Sequence, residues 1–181
     1  MLSALKNLVS PPRLPEADGA YIALVAQARN AFFYETLGVP DSIDGRFEMI
    51  VLHLFLIQHR LLANNQAREF AHQLGEAFID DMDRSIREFG VADTGVAKRI
   101  KRMGRAYNGR LQVYSDALND ADQLRAALSR NLYGTVAQGD VAQLSGMADY
   151  VQRMVAQLAT VPSATIIGGA YTWPMPDAAR R

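Results

Sequence analysis

Three histidines, His53, His59 and His72, are the side chains best suited to metal or acid–base chemistry. His53 and His59 lie six residues apart, so on a helix they point about 120° away from each other and cannot share one metal ion. Two metal histidines on one helix need a spacing of three or four. Met49 and His53 do have that spacing, which raises haem ligation, but on an apolar helix a methionine and a histidine more often fill the core. Among the carboxylates, Asp80, Asp81 and Asp83 form a dense group. A di-metal carboxylate bundle requires Glu-x-x-His on each of two helices, and only Glu69 with His72 fits. Arg84 follows Asp80 by four residues and Arg87 follows Asp83 by four, so ion pairs on a solvated helix face are the first reading of this group, with a docking surface for a basic partner as the second. Cysteine is absent, which removes thiol nucleophiles, disulfides and cysteine-held clusters. Gly104 to Gly109 follows no strand and lacks the phosphate-loop lysine. An enzyme would have to assemble a polar cluster from distant residues such as His53, Asp80 and Arg110. No catalytic constellation, metal site or cofactor motif emerges, and the expectation is a protein that is not an enzyme.

One charged stretch is distinctive. Lys98, Arg99, Lys101, Arg102, Arg105 and Arg110 place six cations in thirteen residues with no acid among them. On a helix Lys98, Lys101, Arg102 and Arg105 share one side, flanked by Arg99 and Arg110. Val96, Ile100, Met103, Tyr107, Leu111 and Tyr114 line the opposite side. Either the preceding acidic helix neutralises this stripe, or it is free to meet lipid headgroups, RNA phosphates or an acidic protein. The basic side carries no aromatic residue, which weighs against stacking on single-stranded RNA. Over the whole chain, 19 Lys and Arg balance 19 Asp and Glu, which argues against a nucleic-acid binder that uses its entire surface, and no DNA partner is expected.

Helices must position these residues. Asp18 is placed to cap a first helix reaching about Leu37, where Gly38 stops it. A second runs from about Ile43 to Ala63 and is apolar on most sides, which predicts a buried, central helix. Asn64 or Asn65 caps a third, ending near Glu88 before Gly90. Asp93 or Thr94 caps a fourth, to about Leu118; the fifth spans about Asp120 to Tyr133 and the sixth about Asp140 to Thr160. No hairpin pattern occurs. The fold class is therefore all-α, a single-domain bundle of about six helices over 18–160. It has an irregular N-terminal segment, 1–17, and an irregular C-terminal tail, 161–181, that packs in part through Tyr171 and Trp173. Leu2, Leu5, Leu8 and Val9 fall on one helical side and suit a surface-binding peptide, although a frayed terminus is the simpler expectation. No apolar run approaches the ~20 residues of a membrane span.

Three groups of residues, in this order and spacing, resemble the ubiquinol–cytochrome c chaperone family in its compact bacterial form. The first runs from Phe33-Tyr34-Glu35-Thr36-Leu37-Gly38-Val39-Pro40-Asp41-Ser42 into Gly45-Arg46-Phe47-Glu48 and Leu52-His53. The second is Phe78-Ile79-Asp80-Asp81-Met82-Asp83-Arg84 with Arg87-Glu88-Phe89-Gly90-Val91. The third is Val96 to Met103 with Tyr107-Asn108-Gly109-Arg110. The resemblance runs from roughly Ala31 to Tyr133. It implies an assembly factor for respiratory complex III that binds apocytochrome b or another complex III assembly protein, with the ribosome or an anionic membrane surface as further partners. Mitochondrial members help newly made cytochrome b and act with a small partner protein. Unlike their pattern, this chain shows neither a long transit peptide nor a membrane anchor, and the expected location is cytoplasmic, peripheral at the inner membrane. The family supplies no catalytic residues. A client groove along Phe33, Phe47, His53 and Phe55 is expected, with the basic stripe as the anion- or partner-binding face. The alternative is a helical carrier of a small hydrophobic ligand such as quinone or lipid.

Overall fold

The computed structural model describes residues 13–88, 93–134, 140–174 and 176. Helices α1 (Pro15–Ala28), α2 (Ala31–Glu35), α3 (Ile43–Leu62), α4 (Arg68–Glu88), α5 (Asp93–Ala117), α6 (Ala121–Asn131), α7 (Val141–Thr160) and α8 (Ser163–Ile167) follow in chain order, with a 3-10 turn at Asn65–Ala67. No strand occurs among the described residues, so the all-α expectation holds.

A helix that is apolar on every side has no stable place except the centre of a bundle. In α3 every residue from Glu48 to Gln58 is buried. The helix packs against α1, α4, α5 and α7, while α6 joins the bundle through α5 and α7. Three polar side chains interrupt the buried run of α3, at intervals of five residues: Glu48, His53 and Gln58. Each needs a partner, since an unpaired buried polar group costs about 1–3 kcal/mol. The interval turns them in different directions around the helix. Glu48 accepts two hydrogen bonds from Arg110 of α5, at 2.8 and 3.1 Å. His53 meets the Tyr150 hydroxyl of α7 at 2.8 Å. The amide of Gln58 donates to the Ala71 carbonyl of α4 at 2.8 Å, and its oxygen accepts from Tyr107 of α5 at 2.6 Å. Apolar packing alone tolerates slippage between helices; these three bonds fix the register of α3 against its neighbours.

Local chemistry sets the ends. The Ser42 hydroxyl accepts from the Gly45 amide at 3.1 Å and starts α3. Asp120 and Asp140 start α6 and α7 in the same way, as the sequence predicts. Asn64 caps the 3-10 turn that leads into α4. Arg60 closes the C-terminal end of α7 by donating to the carbonyls of Leu158 and Val161 at 2.8–3.2 Å. Replacing Ser42 with Ala leaves an N-terminal amide of the central helix without its cap. The expected loss is about 1 kcal/mol, read from the urea unfolding midpoint at unchanged slope.

Several expectations need correction. The first helix starts at Pro15 with no side-chain cap, and Asp18 instead bonds Arg13 at 2.7 Å within the first turn. It also does not run to Leu37. Asn30 takes an extended backbone, accepts from the Phe32 amide and starts the separate helix α2. Asparagine bonds its own local backbone readily, which competes with helix propagation. Tyr34 holds the resulting corner by donating to the Ala28 carbonyl at 2.8 Å. In the C-terminal tail, Ser163–Ile167 is helical and buries Ile166. Expectations for Leu2, Leu5, Leu8 and Val9, for the turn at Gly90 and for capping by Asp93 or Thr94 lie outside what the structure describes.

Candidate interaction surfaces

Five of the six predicted cations form one face. Lys98, Arg99, Lys101, Arg102 and Arg105 are all exposed on the N-terminal half of α5. None has an ion pair or hydrogen bond among the described residues. The opposite side packs inward as predicted, with Val96, Tyr107 and Tyr114 buried and Ile100, Met103 and Leu111 partly so. The acidic group of the preceding helix makes no ion pair with the stripe among the described residues, because Asp80, Asp81 and Asp83 are engaged elsewhere. Asp83 pairs with Arg87 as expected, but Arg84 pairs with Asp81 at 3.0 Å. Asp80 goes to Arg13 at 2.7 Å, and Asp81 also accepts from the Tyr21 hydroxyl at 2.9 Å.

Arg110 does not belong to this face. Five residues past Arg105 its side chain turns inward to hold buried Glu48 with both a terminal nitrogen and Nε. Burial pushes the Glu48 carboxyl above its ordinary value, and the Arg110 guanidinium works against that rise. The same carboxylate raises Arg110. Arg110 is thus a bundle pin.

The four residues expected to line a client groove do not share one. Phe33, His53 and Phe55 are buried in the core, with 2% exposure at most, and Phe47 is partly buried. Phe33 stacks edge-on against His53 at 5.4 Å, whereas Phe47 packs on Phe78 and Phe55 on Tyr114. A helix that is buried all round cannot present its aromatic residues to a client.

Around His53 lies a polar cluster that sequence reasoning missed. The His53 Nδ1 donates to the Met49 carbonyl at 2.8 Å, so its Nε2 accepts from the Tyr150 hydroxyl. Both ring nitrogens are therefore engaged, which leaves none for a haem iron. Burial lowers the imidazole to about 4, and the ring is neutral at physiological pH. The Gln27 amide donates to Tyr150 at 3.4 Å and to the Pro174 carbonyl at 3.1 Å. Trp173 closes over the cluster with its ring 5.1 Å from His53. The one available signal was Tyr150 itself, a residue with a polar end on the apolar face of α7, but nothing local pairs it with a histidine 97 positions away. Distant His53, Asp80 and Arg110 are not brought together: their partners are Tyr150, Arg13 and Glu48. Among the described residues no group of three or more His, Asp or Glu is placed to hold a metal ion.

Next to Trp173 a cleft of about 400 Å³ opens between α1, α8 and the chain after α8. Its walls are mostly apolar, with Gly19, Ala20 and Ala23 on one side and Ile166, Tyr171 and Trp173 on the other. The small residues of α1 leave the room. No helix among the described residues is long and apolar enough to cross a membrane.

Known proteins share this arrangement. The crystal structure of the Cbp3 homolog from Brucella abortus superposes with a TM-score of 0.81 and 32% identity, covering 98% of each chain. The sequence profile described as ubiquinol-cytochrome C chaperone matches residues 35–173. The chain belongs to that family. A search of curated proteins finds no match. For this ubiquinol–cytochrome c chaperone, the matched region runs from the end of α2 to Trp173. It therefore includes the three polar pins of α3, the cationic face and the segment that covers His53. Membership carries a role in complex III assembly.

Proposed function

We propose that this chaperone binds newly made cytochrome b, or another complex III assembly protein, while resting peripherally on the cytoplasmic face of the inner membrane. Family membership over residues 35–173 is the observation that carries the reading. The cationic face of α5 supports the membrane part. Five exposed cations within eight residues, with no ion pair among the described residues, make a short charged strip. It has no aromatic residue for base stacking and no apolar centre of the kind found in protein interfaces. A lipid surface needs neither, and each Lys or Arg near it contributes about 1 kcal/mol.

Replacing Lys98, Lys101, Arg102 and Arg105 together by Gln should therefore abolish sedimentation with phosphatidylglycerol-rich vesicles. Because these side chains have no partners among the described residues, thermal stability should stay within about 0.5 kcal/mol of wild type. Wild-type binding should also weaken as salt rises. Retained vesicle binding by the quadruple variant would show that this face does not carry the membrane contact. Loss of ribosome or protein capture, with vesicle binding intact, would reassign the face to RNA or to an acidic partner.

A carrier of a small hydrophobic ligand is the second reading, and the apolar cleft favours it, since its volume suits a small molecule. Quinone or lipid recovered by mass spectrometry from the purified protein would support a carrier.

A further inference from the structure

After α8 the chain turns at Gly169, whose φ of +70° suits glycine, and runs without helix through Tyr171–Pro174, with Pro176 described beyond it. Backbone hydrogen bonding stops at the Ala170 amide, and none is made by the described residues beyond it. What holds this strap is sparse. Gln27 donates to the Pro174 carbonyl at 3.1 Å, Arg153 donates to the Pro176 carbonyl at 3.1 Å, and Trp173 lies on His53. The fit is also incomplete. The Tyr171 hydroxyl is buried with no hydrogen-bond partner among the described residues, and the cleft of about 400 Å³ remains open beside Trp173. Segments with few backbone bonds and few contacts are those that open first.

A surface that accepts an extended segment through one aromatic ring and two main-chain carbonyls accepts any segment with those groups. We propose that the strap is an intramolecular stand-in, and that the surface beneath it, formed by Gln27, His53, Tyr150 and Arg153 with the adjoining cleft, is the docking site for the client. The occupant is an extended apolar segment of the client that presents an aromatic side chain followed by an open main-chain carbonyl. This rests on the reading of the protein as a chaperone. It also moves the groove from the buried Phe33–Phe55 line to a surface that the chain itself covers. Client binding then exchanges one segment for another, which keeps the apolar surface covered when no client is present.

The test uses the full chain with Trp173→Gly, which removes the strap's aromatic anchor. A dye-labelled peptide of the strap's own sequence, Tyr-Thr-Trp-Pro-Met-Pro, is titrated and followed by fluorescence anisotropy. Intact protein should bind it at least tenfold more weakly than the variant, because the tethered strap competes at an effective concentration on the order of millimolar. Binding to neither, or equal binding to both, would overturn the inference. Should Trp173→Gly fail to fold, the full chain with Gln27→Leu and Arg153→Leu keeps the question open to measurement. Trp173 is the only tryptophan, so acrylamide quenching reports the strap alone. Quenching should at least double while unfolding stays cooperative, and unchanged quenching would overturn the inference. If complex III assembly proves independent of the protein while the peptide still binds the variant, the assembly role fails and the strap site stands. The reverse pair of results removes only the strap site.

Discussion

Arg110→Ala should lower the unfolding free energy by about 3 kcal/mol, measured by urea denaturation at neutral pH. The loss follows from where the partner sits. Glu48 is 7% exposed, and its carboxylate is held by a two-pronged guanidinium contact. Without Arg110 the carboxylate stays buried with no counter-charge, a far costlier state than a broken surface pair. Lysine cannot reproduce the fork, so Arg110→Lys should recover only part of the loss. The effect has a signed pH dependence. Burial already favours the protonated form of Glu48, and removing the cation favours it more. The variant's deficit should therefore shrink as pH falls, since a protonated Glu48 no longer needs a partner. A deficit that is constant with pH would mean the cost comes from lost packing of the arginine stem.

Acid should loosen the bundle through His53. The folded protein holds this imidazole neutral down to about pH 4, whereas the unfolded chain takes up the proton near the ordinary value of about 6.5. Between those values the unfolded state binds more protons, so stability rises with pH across the window. The contribution is complete above about pH 6.5 and is lost as pH falls toward 4, reaching about 3 kcal/mol. His53→Gln removes that titration. Its stability at pH 7 falls, because the Tyr150 bond changes, but the slope between pH 6.5 and 4 should shrink, leaving a smaller part from His59, which desolvation also lowers, and an opposing part from Glu48, which burial raises. A slope unchanged by His53→Gln would place the acid sensitivity elsewhere.

Much of the frame can be read from local residue patterns. Ser42, Asp120 and Asp140 announce helix starts because a cap depends on only the next three residues. The apolar run from Met49 to Ile57 announces the central helix because periodicity is local too. The cationic face is legible for the same reason, since Lys98, Lys101, Arg102 and Arg105 sit three and four positions apart. Arg110 was grouped with it because sequence spacing says which side of a helix a residue occupies, not what waits across the interface. Glu48, 62 positions earlier, decides that. The break at Asn30 was missed because Asn is only weakly unfavourable inside a helix, and its local bond to Phe32 tips a close balance. Of the expected groove residues, Phe33, His53 and Phe55 are buried and Phe47 partly so, for a more general reason. Aromatic residues on or against the most apolar helix fill the core, and an interaction surface has to be sought where small residues and a weakly bonded segment leave room. Gln27, Tyr150 and Trp173 meet only through tertiary packing.

A role in complex III assembly makes the haem b absorbance of the cytochrome bc complex, in membranes from cells that lack the protein, the decisive measurement. The complex should fall severalfold while the terminal oxidase haems stay at their normal level, and the intact chain should restore it. A normal level of bc complex in the deleted cells would show that the protein does not serve its assembly.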